Sequence, residues 1–236
     1  MTSSLFANSS TAPVITIDGP VASGKGTVAR ALATKLGFHL LDSGAIYRSH
    51  ALACMDRGIK INEINLLEIE AKALSLEFRD QTVWLDGRDA TDLIRAEAVG
   101  MAASAISAIP EVRAALLERQ RAFAAAPGLV ADGRDMGTVV FPHAALKVYL
   151  TATAEVRGQR RSRQLDNAAP NAGSNANPNA ALEQVISQIR QRDLQDKSRA
   201  TAPLKPAADA VVLDNAGQDK HETVEAILRL WSLRSG

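Results

Sequence analysis

The chain has 236 residues, of which 46% are hydrophobic and 22% charged, so it can form one large globular domain or a core with a smaller insertion. Its 27 Lys and Arg side chains against 26 Asp and Glu give a net charge of +1, which argues against a protein that binds nucleic acid by bulk electrostatics. The single cysteine excludes an internal disulfide and no apolar run approaches the ~20 residues of a membrane span, so we expect a cytoplasmic protein without nucleic-acid or membrane partners.

Short apolar runs separated by helix-like stretches predict the fold. Residues 1–12 are small and polar and predict a disordered tail. Five runs predict buried strands, namely Val14–Asp18, His39–Leu41, Leu129–Ala131, Leu146–Leu150 and Ala210–Leu213. Helix-like stretches between them are typical of a five-stranded parallel sheet in a three-layer α/β core.

More than eighty residues separate the second and third runs, several times what one crossover helix needs. We interpret residues 63–107 as an inserted subdomain in a core formed by residues 13–62 and 108–236. Within the insertion, Leu74–Arg79 and Thr82–Leu85 flank Asp80 and Gln81 and predict a hairpin of a small antiparallel sheet. The stretch Asp86–Asp89 that follows is interpreted as a turn.

The loop after the first strand, Gly19–Thr27, has the glycine spacing and the lysine of a phosphate-binding loop. Its predicted ATP-binding residues are Gly19, Pro20, Val21, Ala22, Ser23, Gly24, Lys25, Gly26 and Thr27. Lys25 is expected to reach the β- and γ-phosphates and Thr27 to hold Mg²⁺, because Gly26 stands where Ser or Thr is usual. This ending is typical of nucleoside monophosphate kinases. Asp18, just before the loop, is interpreted either as orienting Lys25 or a Mg²⁺-bound water, or as loop scaffolding.

Nucleotide binding alone leaves several classes open. Transfer to a phosphate acceptor needs no general base, because a phosphate monoester with a second pKa of about 6 is mostly dianionic at neutral pH. Arginines would then be expected, and residues 134–205 carry eleven cations, eight of them arginine, against six acidic side chains.

These arginines occur in several separate segments. Ser43 is predicted to cap a helix that carries Arg48, and Arg134 and Asp135 follow a strand, where open α/β sheets bind ligands. Arg157, Arg160 and Arg161 have helical spacing, as do Arg192, Asp196 and Arg199. The Asn- and Ala-rich stretch 166–181 between these two groups predicts a mobile loop tip.

The runs Val14–Thr27, Leu41–Arg48, Pro127–Pro142 and Arg192–Leu204 resemble those of the bacterial cytidylate kinases, the (d)CMP kinases of the nucleoside monophosphate kinase group. The resemblance covers about residues 13–214. It implies a P-loop NTPase core, an inserted CMP-binding subdomain and a short lid at about residues 154–200. It also implies transfer of the γ-phosphoryl group of ATP to CMP or dCMP with Mg²⁺.

The resemblance further implies the acceptor site. Its CMP-binding residues would be Ser43, Tyr47, Arg48, Ser104, Arg113, Arg134, Asp135, Arg192, Asp196 and Arg199. Ser43, Arg48 and Arg134 would hold the phosphate, and Ser104, Arg113 and Asp135 would read cytosine, with Ser107 the alternative to Ser104. Lys25, Arg134, Arg157, Arg160 and Arg192 are the predicted catalytic set.

The residues alone leave two alternative functions open. One is a kinase of the same fold that acts on UMP, AMP or a non-nucleotide acid. Arg113 and Asp135 favour a cytosine nucleotide over these acceptors, because an acidic side chain can accept a hydrogen bond from the N4 donor of cytosine. The other is a phosphate-loop regulatory module that hydrolyses ATP slowly. We expect a monomer, because the sequence shows no long apolar helix face beyond the core.

Overall fold

The computed structural model describes residues 12–79, 82–168 and 178–235. The predicted tail lies outside the described residues except for Ala12, as do Asp80, Gln81 and residues 169–177. The strands are β1 (Val14–Asp18), β2 (His39–Asp42), β3 (Leu76–Arg79), β4 (Thr82–Leu85), β5 (Arg88–Asp89), β6 (Leu129–Gly133), β7 (Leu146–Thr151) and β8 (Val211–Asp214). The α-helices are α1 (Lys25–Leu36), α2 (Ser43–Asp56), α3 (Ile64–Ala73), α4 (Glu97–Ile106), α5 (Pro110–Arg121), α6 (Ala154–Ala168), α7 (Pro178–Ser198) and α8 (Lys220–Ser235).

Five parallel strands form the central sheet in the order β2-β6-β1-β7-β8. They are the five strands predicted from the apolar runs, although β8 lies one residue later than expected. β1 is buried over its whole length, as befits the central strand of a parallel sheet covered on both faces. Because β1 lies between β6 and β7, the loops that follow these three strands meet at one edge of the sheet.

Helices cover both faces of this sheet. On one face, Val28 and Leu32 of α1 and Ile227 of α8 belong to one apolar cluster with strand residues. A second cluster contains Ile46 of α2 and Leu116 of α5 together with residues of β2 and β6. The helices thus bury their apolar stripes against opposite sides of the sheet, and the predicted three-layer α/β core is confirmed.

The predicted hairpin is present as β3 and β4, with Phe78 paired to Val83. The interpretation of Asp86–Asp89 as a turn is wrong in its second half, because Arg88–Asp89 forms the third strand β5 beside β4. Asp86 and Gly87, at φ 51 and 75, make the turn that brings these residues back onto the sheet.

The expected insertion contributes α3, the small sheet and α4. Its apolar residues, such as Leu67 and Leu85, share one cluster with α2 and α5, so the boundaries at residues 63 and 107 stay a prediction. No single helix of the described ranges is long and apolar enough to span a membrane, although α4 and α5 pass that test together while bent by 102°.

α6 and α7 pack against each other in the segment predicted as the lid. Gly158 permits this close approach, because a Cβ there would lie 2.4 Å from Cγ1 of Ile186. The prediction of a loop over residues 166–181 is wrong at both ends, since α6 continues to Ala168 and α7 begins at Pro178. Proline suits the first turn of a helix, where its missing N–H is not needed.

Candidate active site

The phosphate loop links β1 to α1 at the edge where the central strands end. Gly19 allows the loop to leave β1 against β7, because a Cβ there would lie 2.2 Å from the carbonyl oxygen of Leu150. Gly24 has the left-handed conformation, at φ 86, and precedes α1 with no side-chain cap from the described residues. The first amides of α1 therefore face the loop and can bind an anion.

Lys25 and Asp132 form the charged centre beneath this loop. Lys25 is 9% exposed. Its Nζ donates to the carbonyl oxygen of Pro20 at 3.1 Å. Burial lowers the pKa of Lys25 and raises that of Asp132, and their mutual attraction opposes both shifts. The two buried groups thus stabilise each other's charged forms.

Asp132 also explains the unusual glycine after Lys25. A Cβ at Gly26 would lie 3.0 Å from the Asp132 Oδ2, so a larger residue would crowd the carboxylate. The Asp132 Oδ1 is buried without a hydrogen-bond partner among the described residues. Asp132 was not predicted as a site residue from the sequence, although its position at the end of a strand was the available signal.

A cavity of about 300 Å³ lies on the outer side of the loop. Thr27, the predicted Mg²⁺ ligand, is exposed and lines this cavity with Arg160 and Asn215. Asn215 donates through Nδ2 to the carbonyl oxygen of Ser23 at 2.9 Å. Asn215 was not predicted as a site residue. It lies directly after β8, and this position indicates a site residue only when the strand order is known.

Arg157 and Arg160, two of the predicted catalytic residues, both contact backbone carbonyls of the loop. Arg157 donates to Val21 at 3.1 Å and binds Asp193 of α7 through both Nη atoms, at 3.1 and 2.6 Å. Arg160 donates to Ser23 at 3.2 Å and to Asn215. Both α6 and α7, the helices of the segment predicted as the lid, are therefore tied to the phosphate loop, and Arg157 is 4% exposed.

Arg161, the third cation of this helical spacing, contacts a different element. Its Nη2 lies 3.0 Å from Oε2 of Glu97 at the start of α4. The contact joins α6 to the segment predicted as the insertion.

The second cavity of the site, about 120 Å³, lies on the other side of the loop. It is lined by all ten residues that the sequence analysis assigned to CMP, namely Ser43, Tyr47, Arg48, Ser104, Arg113, Arg134, Asp135, Arg192, Asp196 and Arg199. Ser107, the alternative to Ser104, lines it too, with its hydroxyl donating to the Ser104 carbonyl oxygen at 2.9 Å. Because both serines line the cavity, both stay candidates for the contact with cytosine.

The prediction that Ser43 caps α2 is wrong. Asp42 is the capping residue, and its Oδ1 accepts from the amide of Ala45 at 2.9 Å. Asp is as good a cap as Ser, and β2 ends one residue later than the apolar run suggested. Ser43 is instead the first residue of α2 and lines the cavity.

Arg113 and Asp135 form a buried ion pair at one end of this cavity. Arg113 also donates to the Ser107 carbonyl oxygen at 3.1 Å and stands 5.7 Å from the centre of the Tyr47 ring. Burial raises the pKa of Asp135, which Arg113 opposes, and burial raises that of Tyr47 to about 12. A guanidinium donor and a carboxylate acceptor thus lie side by side, both buried, at this cavity.

Arginines dominate the rest of the cavity. Arg134 binds the Asp196 Oδ2 through Nε at 3.0 Å, and Arg199 binds the other Asp196 oxygen. Among the described residues, Arg48 donates to the carbonyl oxygen of Ile94 at 2.8 Å and Arg192 to that of Gly100 at 3.2 Å. Burial lowers the pKa of Arg48, Arg192 and Arg199, and nearby Arg134 lowers all three further. Such an excess of buried positive charge favours an anionic ligand.

Comparisons with known proteins show which family the chain is similar to. A family model described as cytidylate kinase matches residues 15–232. The cytidylate kinase of Bordetella pertussis is 52% identical over 227 residues, which are 96% of this chain and 98% of that protein. The cytidylate kinase of Burkholderia ambifaria is 54% identical over 219 residues, 93% of this chain and 92% of that protein. Among solved structures, TT1252 from Thermus thermophilus is 21% identical, covers 96% of this chain and 100% of that one, and has a TM-score of 0.44.

Proposed function

The chain belongs to the cytidylate kinase family and transfers the γ-phosphoryl group of ATP to CMP or dCMP, and from that premise we propose which residues carry each part of the reaction. Two separate cavities border the phosphate loop. Arg160 and Asn215 line the first, and Asp135 lines the second. We assign the first to the nucleoside part of ATP and the second to CMP.

The phosphates of ATP bind along Gly19–Thr27. The loop amides and the first amides of α1 donate hydrogen bonds to the phosphate oxygens, and Lys25 neutralises the charge that develops during transfer. Arg160 turns from its carbonyl partners toward the phosphates, while Arg157 holds the loop and both lid helices together. Closure of the lid excludes water, which limits wasteful hydrolysis.

Mg²⁺ is the proposed cofactor. When bound with ATP, it neutralises charge on the β- and γ-phosphates. The buried Asp132 carboxylate beside Lys25, with one oxygen free of described partners, suits a hard cation or one of its waters. Thr27 on the outer cavity stays the other candidate ligand.

The phosphate of CMP binds among the arginines. Ser43, Arg48 and Arg134 hold it, with Arg192 bridging toward the transferred group. Asp196 and Arg199 contact the ribose and the phosphates. No general base is needed, because the acceptor phosphate is mostly dianionic at neutral pH. These groups supply position and charge balance, which are the main sources of catalysis in phosphoryl transfer.

The Arg113–Asp135 pair carries the choice of base. Cytosine presents an acceptor at N3 beside a donor at N4, which matches a guanidinium beside a carboxylate. Uracil reverses both positions and would leave Asp135 facing another acceptor in a buried pocket, a strongly unfavourable contact. Ser104 or Ser107 adds a hydroxyl at the same end.

The test is release of ADP from ATP and Mg²⁺ with CMP, dCMP, UMP, AMP or no acceptor at equal concentrations. We expect high rates with CMP and dCMP only. Equal rates with UMP would contradict base selection by this pocket. Equal ADP release without acceptor would contradict the assignment of the second cavity to CMP.

We further propose that the enzyme works as a monomer in the cytoplasm. The free, buried Cys54 supports a reducing compartment, since burial raises the pKa of that thiol to about 12 and keeps it unreactive. The monomer is supported by the lack of a long apolar helix face beyond the core in the sequence. Sedimentation at micromolar concentration tests the monomer, and a dimer mass would contradict it.

A further inference from the structure

Asp18 is a buried carboxylate that the proposed reaction does not use. It ends β1 and is 5% exposed. Its Oδ1 accepts from the amide of Met136 and its Oδ2 from the amide of Gly137, each at 2.8 Å. Both oxygens are thus committed to the backbone of a segment more than a hundred residues away in sequence.

The two amides belong to the turn that follows Asp135. Residues Met136–Val140 form a single π-helical turn with Asp135 at its start, and no side chain of Asp135 caps it. The first amides of a helical turn lack partners within it. Asp18 supplies these partners from the neighbouring strand, and hydrogen bonds to a carboxylate are stronger than neutral ones. Burial raises the pKa of Asp18 to about 6, which leaves it charged at neutral pH.

This cap lies directly next to Asp135, the residue that is proposed to read the base. The peptide unit next to Asp135 is held on one side by Asp18, while Arg113 holds the Asp135 side chain on the other. Asp18 also immediately precedes Gly19, the first residue of the phosphate loop. We infer that Asp18 is a positioning residue that fixes the direction of Asp135 for reading the base and joins the base-reading turn to the phosphate loop.

This inference rests on the proposed role of Asp135. If it holds, loss of the cap lets the turn shift and weakens recognition of cytosine, while ATP still binds its own loop. The orientation of Lys25, the alternative raised by the sequence, would instead affect every acceptor alike.

The experiment compares Asp18→Asn with wild type. Asn keeps one acceptor oxygen but places an amide donor against the second backbone N–H. We expect the ratio of kcat/KM for CMP to that for UMP to fall about tenfold, with the KM for ATP unchanged within about twofold. Thr16→Val is the matched control, because Thr16 lies two residues earlier on β1, is fully buried, and its hydroxyl has no partner among the described residues. It should leave the ratio unchanged.

A double-mutant cycle with Asp135→Asn separates the possible failures. We expect Asp18→Asn to have little further effect on the ratio in that background. An unchanged ratio in Asp135→Asn alone would overturn the proposed base reading. A normal ratio in Asp18→Asn, or the same tenfold loss in both backgrounds, would overturn the inference about Asp18. If Asp18→Asn does not fold, Asp18→Ser, which keeps a short acceptor, is measured in the same cycle with the same criteria.

Discussion

The donor and acceptor sides of the site are built in different ways. The donor phosphates are assigned to nine consecutive residues, Gly19–Thr27, whose backbone conformation is set by glycines and by the start of α1. The acceptor cavity takes its side chains from α2, α4, α5, α7 and the end of β6, across residues 43–199. A site made from backbone depends on local conformation, whereas a site made from side chains depends on how distant elements pack. Substitutions should therefore separate the two sides.

The largest expected effect is on the donor side. Lys25→Ala should lower kcat/KM by on the order of 10³-fold, because it removes the charge beneath the phosphates. The loss should be the same for CMP and UMP. Lys35→Ala is the control, since Lys35 lies on the same helix, exposed and paired with Glu225. Full activity in Lys25→Ala would refute the phosphate-loop assignment. A changed preference between CMP and UMP in this variant would contradict the independence of the donor and acceptor sides.

A smaller effect should appear on the acceptor side alone. A Cβ at Gly100 of α4 would lie 2.8 Å from an Nη atom of Arg48, and its carbonyl already accepts from Arg192. Gly100→Ala should therefore raise the KM for CMP about tenfold by displacing Arg48, with the KM for ATP unchanged. Thermal stability should not fall, because Ala favours helix over Gly.

Met101→Ala, the exposed next residue of α4, serves as the control for Gly100→Ala and should leave both KM values near wild type. An equal rise in the KM values for ATP and CMP in Gly100→Ala would show that α4 supports both sides and would contradict their independence.

The smallest effect concerns stability and pH. His50 of α2 is fully buried, and its Nε2 lies 2.9 Å from the Leu67 carbonyl oxygen. Burial lowers its pKa, so the unfolded state binds more protons below about pH 6.5 and stability falls as the pH decreases. Asp18, at the end of β1, has the opposite sign, because its raised pKa means that the folded state binds more protons between about pH 4 and 6.

Urea unfolding at pH 7.5 and 5.5 checks the contribution of His50. Between these values the wild type should lose up to about 1 kcal/mol more than His50→Gln, which cannot titrate. The same loss of unfolding free energy in both proteins would show that His50 does not make α2 sensitive to acid.

The sequence supports some of these features better than others. The phosphate loop and the five strands depend on contiguous residues, so their patterns could be recognised directly. The ten residues around the acceptor cavity came from the family resemblance, because spacing alone cannot show that Arg113 meets Asp135. Asp132 and Asn215 were missed since their importance follows from the order β6-β1-β7-β8, which no local pattern contains.

The incorrect predictions have a related cause. β5 is only two residues long and exists because it pairs with β4, so its letters resemble a turn. The helices α6 and α7 extend into the Asn/Ala-rich segment because they pack on each other over Gly158. In each case a tertiary contact overrides local composition.

The measurement that tests the account most directly is kcat/KM for CMP and for UMP in wild type and Asp135→Ala. Asp135→Ala should lose at least about tenfold more kcat/KM with CMP than with UMP, because only cytosine offers a donor at the exocyclic position 4, where uracil has a carbonyl oxygen. Equal losses with both acceptors would contradict it and would make Asp135 a structural partner of Arg113.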